Sequence, residues 1–446
     1  MENKNDEQLF KMRHSAEHIL TQAMKELGYN FYMAIGPAID DGFYFDFELL
    51  EGELTEAEFK KIENKINSII NQDLPITKQV VDEKKARELF KDNPYKQELI
   101  DELVENGDEL SVYWTGEPNN EESFVDLCKG PHVESTKQVG VVKLLSIAGA
   151  YWRGDEKNKM LTRIYGTAFA TKEEMKAYLE MLEEAEKRNH RKIGKELNLF
   201  VFSEIVGKGL PLWTERGSII RRELEHFVVE EEIKRGYIHV YTPDIARVAL
   251  YEKSGHYPYY KDSMYNPIED EEEQFMLRPM TCPHHFELYL SKPRSYKELP
   301  MRIAELAKLY RYEKSGELTG LQRVRSFCLA DAHIVCADKE QAKSEIEGAL
   351  DLIEYAAGVF GLKQGDNYRY RLSLGDKSDS KKYYKDDKSW EDAENVLREV
   401  LKERNADYFE AEGEAAFYGP KIDFQMKNVY GKEDTAFTVQ YDFVMP

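Results

Sequence analysis

The chain has 446 residues, 41% of them hydrophobic and 12% aromatic, and a formal net charge of −22. This composition is typical of a globular protein, and the length predicts roughly three domains. The negative charge argues against indiscriminate nucleic-acid binding, although a local basic patch would still contact phosphates. No apolar run reaches the roughly 20 residues of a membrane span, and the N-terminus lacks a secretory apolar segment. With four cysteines, we expect a cytoplasmic protein without a membrane partner.

Capping boxes and apolar spacing divide the chain into predicted elements. Apolar residues at helical spacing predict a helix over residues 7–28, and residues 33–47 are typical of strands around a glycine turn. Capping boxes at residues 55–58 and 171–174 predict two more helices, the second ending near Gly194. We expect an α+β protein with domains over residues 1–170 and 196–446, joined by a linker helix over residues 171–195.

Two short pairs of potential metal ligands lie in the N-terminal domain. His14 and His18 are four residues apart on the first predicted helix, so they share a face. Cys128 and His132 form a second pair with the same spacing. Three imidazoles and a thiolate would make a tetrahedral zinc site, which is the leading interpretation from chemistry alone. Separate surface or core histidines are the alternative.

Residues 311–333 predict two strands joined by a glycine-bearing loop, with arginines on both strands. Arg311 and Glu313 stand at the start, and Arg323 and Phe327 stand on the return. Such a hairpin suits a nucleotide, because arginine binds phosphate, glutamate accepts from an exocyclic amine and phenylalanine stacks on a base. An ordinary charged hairpin is the alternative.

The order of these residues resembles motif 2 of the class II aminoacyl-tRNA synthetases, whose catalytic domain is built on an antiparallel sheet. The continuation into Asp331-Ala332-His333 resembles the threonyl-tRNA synthetase family. The resemblance implies ATP with Mg²⁺, L-threonine and tRNA(Thr) as cofactors and substrates. It also implies these nucleotide contacts: the α-phosphate for Arg311, the adenine amine for Glu313, the outer phosphates for Arg323 and the adenine ring for Phe327.

The same resemblance assigns an amino-acid pocket. Cys282 and His333 match two zinc ligands of the family, although this pair alone would be interpreted as core packing. Zinc that chelates the amine and hydroxyl of threonine leaves a site that valine cannot satisfy. Asp331 would accept the threonine hydroxyl. The pocket would be lined by Tyr418, Lys421 and Gln440, for which strand packing is the alternative.

Residues 14–18, 126–132 and 148–169 resemble the editing domain shared by threonyl- and alanyl-tRNA synthetases. The resemblance implies hydrolysis of mischarged seryl-tRNA by the two His and Cys pairs, with zinc occupancy undecided. By family position, Lys96 and Asp126 would bind the terminal adenosine or position the water. A solvated surface lysine and an aspartate that anchors a turn are the alternatives.

Two further segments suggest partners. Residues 209–213, the helix around Arg221 and residues 241–243 resemble class II motif 1, which implies a homodimer, and packing within the monomer is the alternative. The basic residues 187–192 suit either contact with tRNA or a solvated helix end.

Some features depart from the family pattern. His284, Leu329 and Thr435 replace customary residues, and we interpret His284 as solvated, with an extra metal neighbour as the alternative. The resemblance implies a preceding TGS domain, and after residue 446 a third zinc ligand, motif 3 and an anticodon-binding domain. We therefore expect a piece of a longer enzyme with an incomplete catalytic domain. Competing functions are a hydrolase that edits aminoacyl-tRNA in trans and a non-catalytic tRNA- or nucleotide-binding paralogue.

Overall fold

The computed structural model describes residues 2–120, 122–270, 272–379 and 381–445 of the chain. They form two compact units, Met1–Met181 and Leu182–Pro446. Helices and sheets occur in both units, which confirms the α+β prediction. Among the described residues, none of the helices is long and apolar enough to cross a membrane.

The N-terminal unit alternates helices with short antiparallel strands. Its elements are α1 (Glu2–Glu26), β1 (Phe31–Met33), β2 (Ala38–Ile39), β3 (Gly42–Leu49), α2 (Phe59–Ile70), β4 (Ile76–Val80), α3 (Glu83–Leu89), α4 (Pro94–Glu105), β5 (Ser111–Thr115), β6 (Phe124–Leu127), β7 (Val141–Tyr151), β8 (Met160–Phe169) and α5 (Lys172–Lys187), the last of which runs on into the second unit. One antiparallel sheet has the order β1-β3-β8-β7 with β2 on β3, and the other has the order β4-β5-β6.

Helix α1 lies against the larger sheet of this unit. Phe43, Phe45 and Phe47 alternate along β3 and are fully buried on one face, as the two-residue period of a strand requires. The apolar stripe of α1 that packs in the same core includes Ile19 and Leu20. Because this stripe fixes the rotation of the helix, it also fixes the direction of His14 and His18.

The C-terminal unit is built on two separate sheets and longer helices. Its elements are α6 (His190–Glu196), β9 (Phe200–Val201), β10 (Leu212–Trp213), α7 (Glu215–Lys234), β11 (Ile238–His239), β12 (Ile245–Arg247), α8 (Val248–Lys253), α9 (His256–Tyr259), β13 (Ile268–Asp270), β14 (Glu273–Leu277), α10 (Cys282–Leu290), β15 (Met301–Tyr310), β16 (Ser326–Val335), α11 (Lys339–Val359), β17 (Tyr368–Leu374), α12 (Asp387–Glu403), β18 (Tyr408–Glu412), β19 (Lys421–Lys427) and β20 (Glu433–Gln440).

The long antiparallel pair β15–β16 organises this unit. Its register runs from Met301 opposite Val335 to Tyr310 opposite Ser326, and β11 joins β15 in parallel. A second sheet has the order β18-β17-β19-β20, and the smaller groups are β12-β14-β13 and β10-β9. The apolar faces of α11 and α12 pack on the second sheet around Leu372.

Two predicted elements differ in detail. The motif 2 strands end at Tyr310 and resume at Ser326, so the arginines belong to the connecting loop rather than to the strands. The predicted linker helix is broken between α5 and α6, because Asn189 has an extended backbone and its side chain caps α6 by accepting from the amide of Arg191.

Candidate functional site

The structure brings the two N-terminal His and Cys pairs together. Ligand atoms of His14, His18, Cys128 and His132 all lie within 4.8 Å of one another. Sγ of Cys128 lies 3.3 Å from Nε2 of His14 and 3.2 Å from Nε2 of His132. Helix α1 supplies the first pair, and the loop after β6 supplies the second. We call these four residues the quartet.

Hydrogen bonds outside the quartet fix which nitrogen faces inward. Nδ1 of His14 lies 3.1 Å from the carbonyl oxygen of Pro131, so it donates. The hydroxyl of Ser15 donates to the Lys11 carbonyl, so it accepts from Nδ1 of His132, 3.0 Å away. Each Nε2 then carries a lone pair, and two lone pairs face the thiol of Cys128. Sequence reasoning missed Ser15, although it stands beside His14.

Burial sets the charge state of the quartet. It lowers the pKa of His14, His18 and His132, so these imidazoles are neutral at pH 7. Burial also raises the pKa of the Cys128 thiol to about 12. Neutral imidazoles accept a proton from water or bind a cation, and a bound cation would displace the thiol proton.

A buried ion pair borders the quartet. Nζ of Lys96 lies 2.6 Å from Oδ1 of Asp126, and the lysine side chain is only 3% exposed. This burial excludes the solvated surface lysine that the sequence allowed. Asp126 also accepts from the amide of Leu127 at 2.8 Å, and its other oxygen lies 3.9 Å from Nε2 of His18. The pair therefore anchors the turn and touches the quartet.

Glu17 is a functional candidate that sequence reasoning missed. Its carboxyl is buried, accepts from the hydroxyl of Thr21 at 2.9 Å and lies 3.8 Å from Nε2 of His18. Burial, followed by the charge of Asp126, raises its pKa well above the ordinary value. A Cβ at Gly36 would lie 2.0 Å from Cδ of Glu17, so glycine leaves room for this carboxyl. Its sequence signal is a charged residue on the buried face of α1.

The motif 2 loop of the C-terminal unit gathers its predicted nucleotide residues. Cζ of Arg311 lies 5.2 Å from the ring centre of Phe327, and a guanidinium nitrogen of Arg323 lies 3.9 Å from the Glu313 carboxylate. Arg325 closes the loop by donating twice to the Glu313 carbonyl, at 3.0 and 2.8 Å. This holding role of Arg325 was not predicted.

The guanidinium of Arg311 is suited to an anion. Burial lowers its pKa, and the neighbouring charges that oppose this shift begin with Glu313 and Asp331. Its Nε is buried without a hydrogen-bond partner in the part of the chain that the structure describes. A buried donor without a partner costs free energy, which a bound phosphate oxygen would offset.

One face of β16 carries the predicted pocket residues. Phe327, Leu329, Asp331 and His333 alternate along the strand and so point to the same side. Leu329 therefore stands between the predicted adenine and threonine contacts, and it is exposed. Its departure from the family pattern lies on the pocket face.

Cys282 opens helix α10, and His333 lies on β16. Burial, followed by the charges of Asp331 and Asp442, raises the pKa of Cys282 well above its ordinary value. Nδ1 of His333 lies 2.8 Å from Nδ1 of His285. Among the described residues, the groups of three or more clustered donors are the quartet and Glu17 with His18 and Asp126, so Cys282 and His333 belong to neither.

The remaining pocket candidates meet where β19 and β20 pair. Lys421 is paired in register with Gln440, and the hydroxyl of Tyr418 donates to the Gln440 side chain. Nζ of Lys421 lies 3.0 Å from the buried carboxylate of Asp423. Thr435 lies farther along β20, where its hydroxyl accepts from Gln425 at 2.7 Å. This hydrogen bond between Gln425 and Thr435 joins the paired strands β19 and β20.

The interpretation of His284 as solvated is wrong. The side chain is 7% exposed, and burial lowers its pKa to about 4. Neither ring nitrogen has a hydrogen-bond partner among residues that the structure describes. Its place in the first turn of α10, packed inward towards Tyr251, removes it from solvent.

A buried polar network behind the pocket was also missed. The guanidinium of Arg278 is 1% exposed and lies 3.0 Å from the Glu305 carboxylate, which also accepts from the hydroxyl of Thr242 at 2.7 Å. Burial would raise the pKa of Glu305, but these donors outweigh it and lower the pKa. Nε2 of His285 lies 3.3 Å from the same carboxylate. The network joins the motif 1 segment to β15.

Comparison with known families identifies a family domain in each unit of the chain. Residues 265–446 match the family described as tRNA synthetase class II core domain (G, H, P, S and T). Residues 110–165 match the threonyl and alanyl tRNA synthetase second additional domain. A threonine–tRNA ligase of Staphylococcus carnosus is 49% identical over 99% of this chain and 67% of its own length. The chain belongs to the threonyl-tRNA synthetase family. It is therefore related to the aminoacyl-tRNA synthetases.

Other relatives of the chain belong to the same family. A threonine–tRNA ligase of Streptococcus pyogenes is 49% identical over 98% of the chain and 66% of its own length. The chain thus spans about two thirds of the length of these curated relatives. The crystal structure of the RNA binding domain of threonyl-tRNA synthetase from Cryptosporidium parvum has a TM-score of 0.54 and 35% identity, and covers 58% of this chain and 62% of that one. The predicted order, an editing-type domain followed by a class II core, is confirmed.

Proposed function

We propose that the chain belongs to a cytoplasmic threonine–tRNA ligase that activates L-threonine with ATP, transfers it to tRNA(Thr) and hydrolyses mischarged seryl-tRNA. The observation that carries this proposal is the convergence of the quartet in a chain that also places Asp331 near enough to Arg311 for its charge to act on that guanidinium. The four cysteines are free, which supports a reducing compartment.

In activation, the threonine carboxylate attacks the α-phosphate of ATP. Arg311 would stabilise the negative charge that develops there, with Mg²⁺ supplied by the nucleotide. Phe327 would stack on adenine, and Arg311, whose Cζ lies 5.2 Å from the centre of that ring, would contact the phosphate. Arg325 holds the main chain of Glu313 by donating to its carbonyl oxygen, and the Glu313 carboxylate would accept from the adenine amine. Arg323 would contact the outer phosphates.

The zinc that the family implies fits the donors of this pocket. Cys282 offers a thiolate sulfur and His333 an imidazole nitrogen, which are donors that zinc prefers. When bound by them, zinc would supply a Lewis acid for the amine and hydroxyl of threonine. Asp331, on the same face of β16 as His333, would accept a hydrogen bond from the threonine hydroxyl. Lys421, Tyr418 and Gln440 would line the opposite side.

In editing, a water molecule attacks the ester that joins serine to the tRNA. A neutral imidazole of the quartet would take the proton from this water, and burial keeps the imidazoles neutral for that purpose. Lys96, held by Asp126, would contact the terminal adenosine. Three donors of the quartet would hold Zn²⁺ and leave its fourth position to the water, which the metal would polarise.

The exposed side of α7 supports a homodimer. Ile219, Ile220 and Leu224 are exposed, in the segment that resembles motif 1. We expect the chain to sediment at twice its mass of 52.0 kDa and the Ile220→Asp, Leu224→Asp variant to sediment as a monomer, because a buried unpaired carboxylate opposes association. Val80→Asp, at an exposed apolar residue of the other unit, is the control. Unchanged dimerisation of the α7 variant would place the interface elsewhere.

Binding of adenylate analogues tests the ligase half of the proposal. We expect a non-hydrolysable threonyl-adenylate analogue to bind on the order of 10⁴-fold tighter than the valyl analogue, because valine leaves the polar pocket groups unpaired. Isothermal titration of the chain measures both dissociation constants. Arg311→Ala should weaken the binding of both analogues, whereas Arg247→Ala at an exposed site should not. Equal affinity for the two analogues would contradict threonine recognition. Seryl-tRNA hydrolysis without analogue binding would instead favour an editing hydrolase that acts in trans.

A further inference from the structure

A line of three side chains leads from the buried network to the predicted zinc ligand. Nε2 of His285 lies 3.3 Å from Oε2 of Glu305, and Nδ1 of His285 lies 2.8 Å from Nδ1 of His333. The two rings are nearly perpendicular, with centres 4.9 Å apart. His285 is completely buried, so water does not compete for either nitrogen. Each of the two contacts of His285 is therefore a hydrogen bond with one hydrogen, carried by one of the two partners.

The charge of Glu305 determines which partner donates in its contact with His285. Its carboxylate accepts from the amide and hydroxyl of Thr242 at 3.2 and 2.7 Å, and from Arg278 at 3.0 Å. These donors hold the carboxylate in its charged form, which only accepts. Nε2 of His285 therefore carries a hydrogen and donates it to Glu305.

The direction of the hydrogen bond between His285 and His333 follows from the protonation of His285. The charge of Glu305 is already matched by Arg278, so a cationic His285 would be an unmatched charge in a fully buried place. In neutral His285 with a hydrogen on Nε2, Nδ1 has a lone pair. At 2.8 Å this lone pair must accept from Nδ1 of His333. In the neutral form of His333, Nε2 is then the nitrogen that carries the lone pair.

We propose that His285 is a positioning residue that holds His333 in the tautomer whose Nε2 lone pair is ready to bind the pocket metal. The proposal rests on the zinc role given to His333 above. An outer carboxylate or histidine commonly fixes the tautomer and orientation of a metal-binding histidine in this way. Here two outer residues act in series, because Glu305 orients His285 and His285 orients His333.

The metal-free protein allows a direct test. Long-range ¹H–¹⁵N spectra of the ¹⁵N-histidine-labelled chain distinguish the two tautomers, and His333→Gln assigns the His333 signals. We expect the hydrogen of His333 on Nδ1 in the unaltered chain and in His285→Gln, because a glutamine amide donates to Glu305 while its oxygen accepts from His333. His285→Leu can do neither, and we expect His333 to lose its single tautomer. Tyr296→Leu, at an exposed aromatic residue, is the control.

Zinc affinity provides a second readout. Competition with a chromogenic chelator should show 10–100-fold weaker Zn²⁺ binding for His285→Leu and near-unaltered binding for His285→Gln. A hydrogen on Nε2 of His333 in the unaltered chain would overturn the proposal, even if the leucine variant fails to fold. So would a leucine variant that retains the tautomer. The expected tautomer with no Zn²⁺ binding would instead contradict the zinc role proposed for His333 and leave the role of His285 intact.

Discussion

Replacing His14 and His18 together with alanine is expected to lower the rate of seryl-tRNA hydrolysis by about 10²–10⁴-fold, the range that one general base contributes. Both imidazoles lie in the quartet, and burial lowers the pKa of each, so they are neutral at working pH. Nε2 of His14 is held with its lone pair inward by the donation of its Nδ1 to Pro131. Alanine removes both the general base and the hydrogen bond that orients it.

Single-turnover deacylation of seryl-tRNA(Thr) measures this effect. The control is Tyr296→Ala, because Tyr296 is an exposed aromatic residue of the other unit. His18 is buried, so urea unfolding of each variant must accompany the rates. Undiminished hydrolysis by a folded double variant would remove the quartet from the editing reaction.

Arg278→Leu is expected to lower the free energy of unfolding by about 3–5 kcal/mol, the cost of leaving one member of a buried ion pair alone. Arg278 joins Glu305 at 3.0 Å and also donates to the hydroxyl of Thr242 at 2.6 Å and the carbonyl of Lys308 at 3.1 Å. Leucine leaves the buried Glu305 carboxylate without its cation. The substitution should also disturb His285, because its Nε2 contacts the same Glu305 carboxylate.

Urea unfolding with a matched control measures this loss. Arg222→Leu removes an exposed pair with Glu223 and should cost at most about 1 kcal/mol. The double variant Arg278→Leu, Glu305→Leu should recover part of the loss, because it leaves no buried charge unpaired. An Arg278→Leu cost equal to that of the control would show that the buried pair does not stabilise the unit.

Local spacing explains what sequence analysis could predict. The period of a helix places His14 and His18 on one face, and the period of a strand places Asp331 and His333 on one side of β16. Such relations need only neighbouring residues. The meeting of the His14 pair with Cys128 depends on the fold, and it was predicted from the zinc-ligand chemistry of the four side chains, an interpretation that the family resemblance sharpened to an editing site.

Burial of charged and polar residues explains what was missed. Glu17, Arg278 and His285 belong to residue types that mostly lie at the surface, so a sequence offers little reason to place them inside. His284 was misjudged for the same reason. The loop position of Arg311 depended on where β15 ends, and strand ends are the least predictable part of an element.

Hydrolysis by the unaltered chain tests the central claim most directly, namely that this member of the family carries an editing site for serine. The chain is mixed in separate reactions with seryl-tRNA(Thr) and threonyl-tRNA(Thr), and the loss of each ester is followed in time. We expect rapid loss of the seryl ester and slow loss of the threonyl ester. Equal rates for the two esters, or no loss of the seryl ester above its spontaneous rate, would contradict it.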